Sequence, residues 1–95
     1  MNRLKYVKVT QMESSRSGRP VPNQFIVTCP EGQYFQSYNS VIAFVANDGA
    51  TILDEYKWDY SATTNKYRSQ FLGEDTPTTR KKITAGLYQT GELNE

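Results

Sequence analysis

Hydrophobic and polar positions alternate over the first half of the chain and then change to helical spacing. Leu4–Thr10 (LKYVKVT) sets Val7 and Val9 on one face and Leu4, Tyr6 and Lys8 on the other. It predicts a first strand at a sheet edge, where its lysines discourage further pairing. Val21–Cys29 resumes strand character, with Phe25 and Val27 pointing one way and Ile26 and Thr28 the other. Pro22 is tolerable near a strand's start. Pro30-Glu31-Gly32 reads as a hairpin turn into a strand at Gln33–Tyr38, with Tyr34, Gln36 and Tyr38 on one face and Phe35 and Ser37 opposite. Ser40–Ala46 contains six consecutive apolar residues, the mark of a central strand buried on both faces. Asn47-Asp48-Gly49 is the strongest hairpin signal, and Ala50–Asp54 pairs back from it, with an extension through Trp58 left open.

At Tyr60 the period changes. Tyr60, Thr64, Tyr67 and Phe71 recur at helical spacing and predict one docking stripe. Ser61 fits an N-cap and Gly73 a C-terminal stop. Thr76-Pro77 reads as a second N-cap with proline at the first helical position, opening a short basic helix over Pro77–Ala85 that Gly86 ends. Thr79, Ile83 and Leu87 are the residues available to dock it. The tail, Leu87–Glu95, either adds a short strand or is disordered. Strands first and helices last, with hairpin-short links, predict an α+β fold. The expected architecture is an antiparallel meander of four or five strands with two C-terminal helices packed on one face.

Glu13–Pro20 (ESSRSGRP) interrupts the strands with no apolar residue. It reads either as a solvated connection or as a flexible basic finger, with Arg16 and Arg19 reaching a phosphate or carboxylate.

The length of 95 residues fits one domain spanning 1–95 with a single modest core. Apolar residues make up 37% and aromatics 13%, so Tyr and Phe must supply much of the core area. The formal net charge of +1 carries no strong nucleic-acid signature. There is no apolar run long enough to cross a bilayer and no apolar signal-peptide core in MNRLKYVKVT. The expectation is a cytoplasmic protein.

The chemistry available is narrow. The chain has no His, which removes the commonest general base and transition-metal ligand. One cysteine, Cys29, allows neither an intrachain disulfide nor a cysteine zinc site within one chain. Asp48, Asp54, Glu55 and Asp59 form a loose acidic set without the spacing of a calcium loop. Ser61, Thr63 and Thr64 lack an identifiable base. No glycine-rich phosphate loop is present. The expectation is therefore a non-enzyme with no catalytic, metal-binding or cofactor-binding residues, and no cofactor.

What remains is a polar and aromatic set. Lys66, Arg68, Arg80, Lys81 and Lys82 fall on the predicted helices, and Arg16 and Arg19 can join them from the loop. Together they are seven of the eleven basic residues. Tyr34, Tyr38, Tyr56 and Trp58 interleave with them wherever they are exposed. Aromatic faces with cations suit single-stranded nucleic acid, and the same residue types make hot spots at protein interfaces. The plain alternative is aromatic core and a solvated charged face. Trp58, Lys66 and Arg68 are the members of the central segment that the docking stripe leaves unused.

Two segments also carry a resemblance. Gly32-x-Tyr34-Phe35-Gln36-Ser37-Tyr38-Asn39-Ser40 is the first. Asp59-Tyr60-Ser61-x-Thr63-Thr64-x-Lys66-Tyr67-Arg68-x-x-Phe71-Leu72-Gly73-Glu74 is the second. From about Asn23 onward the chain resembles a family of small phage and plasmid proteins described as a domain of unknown function. The resemblance implies a mobile-element setting in a bacterial host cell and assigns no catalytic or binding residue. By analogy with that setting, the expected function is binding of a host protein, such as a defence nuclease, as an inhibitor of the anti-CRISPR kind. The alternative is a nucleic-acid-binding module using the basic helices and exposed tyrosines. An edge strand or tyrosine face also offers a two-fold homodimer. No membrane partner is expected.

Overall fold

The computed structural model describes residues 7–94. Leu4–Tyr6, the beginning of the expected first strand, lie outside the described residues, as does Glu95. Six strands form one sheet in sequence order: β1 (Lys8–Glu13), β2 (Pro20–Cys29), β3 (Gly32–Ser37), β4 (Ser40–Ala46), β5 (Thr51–Asp54) and β6 (Gln89–Gly91). The first five make an antiparallel meander. Helices α1 (Ala62–Leu72) and α2 (Thr76–Thr84) lie between β5 and β6 in the chain. β6 returns parallel to β5, which only a crossover through the helices allows. The α+β architecture is the expected one, with six strands where four or five were predicted. The tail supplies the sixth.

Register explains which residues form the core. Thr10, Ile26, Phe35, Ala43, Leu53 and Thr90 lie side by side across the sheet, on the face that the helices cover. Phe35, Ala43 and Leu53 are fully buried there. Phe71 of α1 stacks on Phe35 with ring centroids 5.8 Å apart. Ser37 and Thr64 share a buried hydroxyl hydrogen bond of 2.9 Å between β3 and α1. The neighbouring row, Val9, Val27, Tyr34, Phe44, Ile52 and Gln89, faces away from the helices.

The central apolar run is therefore not buried on both sides. β4 does lie between β3 and β5, but its outward Phe44 is only half-buried because, among the described residues, no layer covers that face. A bulge opposite Phe35/Gln36 sets Ile42 and Ala43 both inside, so the run follows a local irregularity rather than two-sided burial.

α1 carries both its predicted cap and its predicted stop, and α2 starts one residue earlier than expected. Ser61 caps α1, its Oγ accepting from the Thr64 amide at 3.1 Å, and Gly73 ends it at φ 72°. Thr64 and Tyr67 dock as expected, and Phe71 packs on the core. Tyr60 does not join them. It precedes the cap and is 50% exposed. Asp75, not Thr76, caps α2, its carboxylate taking the Thr78 amide at 2.9 Å. Thr79 and Ile83 dock α2 as expected, while Leu87 is 71% exposed and Tyr88 packs on the core in its place.

β5 ends at Asp54 as predicted, without the extension to Trp58, and one turn differs from expectation. Tyr38 leaves β3 and turns the chain at φ 56°, its amide donating to the carbonyl of Asn23, itself at φ 67°. Gly32 sits at φ 154°, and a Cβ there would lie 2.2 Å from the Val45 carbonyl oxygen, so only glycine fits between β2 and β4.

Tyr67→Ala is expected to cost about 3 kcal/mol or more in urea unfolding, as for a large buried ring. Tyr60→Ala should stay within about 0.5 kcal/mol of the parent. Equal costs would contradict the docking assignment. Gly32→Ala is expected to lose about 1–3 kcal/mol in the same measurement, through backbone strain and the clash with β4.

Candidate functional site

The turn from Glu55 to Tyr60 is built by one carboxylate. Asp54 is 2% exposed at the end of β5. Its Oδ2 accepts from the Tyr56 amide at 3.2 Å and its backbone carbonyl from the Trp58 amide at 3.0 Å. Its Oδ1 takes the Leu93 amide at 2.8 Å, tying the tail to the same point. The turn so formed leaves Tyr56 68% exposed and Tyr60 50% exposed, with Trp58 half-buried between them.

Trp58 is held between two guanidinium groups. Arg68 lies 5.2 Å and Arg80 5.4 Å from its ring. Both distances fall within cation–π range. Arg80 also pairs with Asp59, whose other oxygen accepts from the Asn65 amide group. Arg68 is 0% exposed and does not present itself to a partner. It donates to the Trp58 carbonyl, to Asn65 Oδ1 at 2.9 Å and to the Thr76 hydroxyl, and so ties the turn to both helices. Burial pushes its guanidinium below the ordinary value, Asp59 opposes that shift, and Arg80 adds to it. An arginine remains charged through such a change.

Lys82 is likewise occupied. Its Nζ meets Glu74 Oε1 at 2.8 Å, and Tyr88 donates to the same oxygen at 2.8 Å. Thr79 donates to Glu74 Oε2 at 2.6 Å. Burial alone would raise the Glu74 carboxyl, but the hydrogen bonds from Lys82, Thr79 and Tyr88 outweigh it and hold the group below its usual range. Lys82 is pushed up by the same contact with Glu74. Burial and Glu74 push the Tyr88 phenol up.

The remaining sequence candidates do not join this cluster. Tyr34 is on the opposite face of the sheet, its ring 4.5 Å from Phe44. Tyr38 stands in the turn after β3 and is 50% exposed. Lys66 lies over the Tyr67 ring at 5.3 Å. Arg16 and Arg19 are exposed between β1 and β2, in a turn closed by hydrogen bonds from Ser14 N to Arg19 O and from Gly18 N to Ser14 O, each 2.9 Å. The strands take both ends of the expected loop, leaving 14–19. The tyrosines of the sheet and the helix cations thus do not share a face.

The acidic set also separates by role. Asp48 caps the hairpin by taking the Ala50 amide at 2.9 Å, Asp54 builds the next turn, and Asp59 neutralises Arg80. Cys29 is half-buried, its thiol 3.4 Å from the Gly32 carbonyl.

Sequence reasoning did not single out Asp59 as the partner of Arg80, because the two are far apart in the chain. On the exposed face of α2 it named Arg80 and Lys81 but not the groove they line. There Pro77, Arg80, Lys81, Thr84 and Ala85 line a shallow groove of about 450 Å³. The signal was available in Pro77 and Ala85, small apolar residues flanking a cationic run on one helix.

A family model described as a family of unknown function (DUF8033) matches residues 7–86. The chain belongs to this family. No curated protein and no solved structure matches it. The match spans the meander and both helices and ends before β6. Trp58, Asp59, Arg68 and Arg80 therefore all lie within the family's extent. No helix among the described residues is long and apolar enough to cross a membrane.

The Glu74 cluster makes stability depend on pH at both ends. Glu74 has its folded value depressed, so its contribution is present above its unfolded value and is lost as pH falls through the folded one. Lys82 has its folded value raised, so its contribution is present below its unfolded value and is lost as pH rises through the folded one. Glu74→Gln is expected to flatten the acid limb of a plot of thermal midpoint against pH. An unchanged acid limb would show that other carboxylates carry it.

Proposed function

We propose that this is a non-enzymatic accessory protein of a phage or plasmid that binds a host protein, such as a defence nuclease, and inhibits it inside the bacterial cell. The observation that carries the binding surface is Trp58 held between Arg68 and Arg80, with Tyr56 and Tyr60 exposed beside it. Tyr, Trp and Arg are the residues that dominate protein interfaces, since they bury large area with few torsions to freeze. Here Trp58 is already packed against the core and Arg80 is tied to Asp59, so association has less ordering to oppose it. The groove along α2, with Lys81 exposed at its side, continues the surface. The mobile-element setting is supported by the sequence resemblance alone.

The balance of charge favours a protein over a nucleic acid. Arg80 and Lys82 are matched by Asp59 and Glu74, and Arg68 is inside. A phosphate backbone requires several free cations in a row, and α2 offers Lys81 between two occupied neighbours.

The test compares the parent with a Tyr56→Ala/Tyr60→Ala variant, both immobilised and exposed to lysate of a bacterial host. The expected result is a host protein retained by the parent and lost from the variant, with the thermal midpoint unchanged. Recovery of nucleic acid alone, released steeply by salt, would replace this reading with the nucleic-acid one.

A further inference from the structure

The helices cover one face of the sheet, and among the described residues nothing covers the other. Its middle row runs Val9, Val27, Tyr34, Phe44 and Ile52 across five strands. Beside it lie Phe25 and Val41, with Gln11 and Gln36 in the same register. The Tyr34–Phe44 ring pair stands on β3 and β4, at the middle of the six-strand order. Val9 is at the edge and 62% exposed. Gln11 and Gln89 lie on the two edge strands, while Gln36 stands on β3 between Phe25 and Val41.

The charge pattern of this face is its most informative property. None of those positions bears a charge, although more than a fifth of the chain is charged, at 22%. Asp54 shares the parity of this face, but it is 2% exposed and spent on the amides of Tyr56 and Leu93. A face without charge offers nothing for a charged partner to complement, and gives no like-charge repulsion when it meets itself.

We propose that this face pairs with the same face of a second copy, forming a two-fold dimer of sheet on sheet. A two-fold axis between β3 and β4 brings the two Tyr34–Phe44 pairs together at the centre and leaves Gln11 and Gln89 at the rim. That is the distribution of an isologous interface with an apolar middle and a polar border. Facing sheets pack about 10 Å apart with their strands within about 30° of alignment, a geometry that side chains of this size fill.

Area sets the strength. Six strands about 4.8 Å apart and on average about 20 Å long, the last two shorter, present roughly 500 Å² per copy. Two such faces bury about 1,000 Å² in total, at the lower bound for a specific interface. The dimer is therefore reversible and depends on concentration. It lies on a different surface from the Trp58 turn, so each can fail without the other.

The experiment is sedimentation velocity of the full chain over a dilution series, with circular dichroism on every variant. The parent is expected to pass from dimer to monomer on dilution. Tyr34→Lys, which sets two like charges at the axis, is expected to weaken dimerisation by about tenfold or more. Val9→Lys, at an exposed edge position, keeps the test open should Tyr34→Lys disturb the fold. It too is expected to weaken the dimer, and Tyr56→Ala/Tyr60→Ala to leave it unchanged. A parent that stays monomeric at every concentration would overturn the proposal, as would a dimer unaffected by whichever lysine variants remain folded. In the monomeric case the face belongs to a different, uncharged protein partner.

Discussion

The buried guanidinium of Arg68 is the constraint on which the second half of the molecule depends. A charge removed from water is tolerated only where its donors are satisfied. Here its two terminal nitrogens are satisfied by a backbone carbonyl of the Trp58 turn, an amide oxygen within α1 and a hydroxyl at the first residue of α2, while Nε is buried without a partner among the described residues. No carboxylate touches it directly; the nearest compensation is Asp59, engaged with Arg80 across the Trp58 ring. Three successive segments are therefore held in one arrangement by one side chain. Moving any of them leaves donors unmet in the interior, at a cost of several kcal/mol by the usual scale for buried charges. The fixed path of the backbone that carries the exposed tyrosines follows from that internal requirement.

This also shows where a sequence is legible and where it is not. The strands were readable because alternation is a local property: Phe25 and Val27 against Ile26 and Thr28 needs only neighbours. The caps at Ser61 and Gly73 were readable for the same reason, since each acts within one helical turn. Arg68 was not. Its burial depends on partners ten residues back and eight ahead, and a basic residue on a polar-looking helix reads as surface. Tyr60 failed in the opposite direction. Its spacing matched the docking stripe, but the cap one residue later turns the chain away before the helix begins. Asp75 and Thr76 are adjacent and equally suited to cap α2, and backbone geometry selected the first.

The candidate surfaces followed the same rule. Individual residues were visible, but which of them meet was not, because the sheet puts Tyr34 on one side and the helix cations on the other. Tyr34 and Arg80 are separated by the whole thickness of the two-layer fold. The pairing of Arg80 with Asp59 and of Lys82 with Glu74 turns an apparent basic run into a nearly neutral surface. Formal charge counted along the chain thus overstates what a partner would feel.

The parallel strand β6 has a consequence of a different kind. It is three residues long, and its pairing with Thr51–Asp54 is reinforced where Asn94 bonds both the amide and the carbonyl of Val41. While it is in place, β5 is an interior strand. If it peels away, Ile52 and Leu53 become the rim of the sheet, with free amides and carbonyls and no lysine or proline to deter a neighbour. The last few residues thus act as a guard against aggregation, and proteolytic trimming there would be expected to reduce solubility before it reduced helix or meander content.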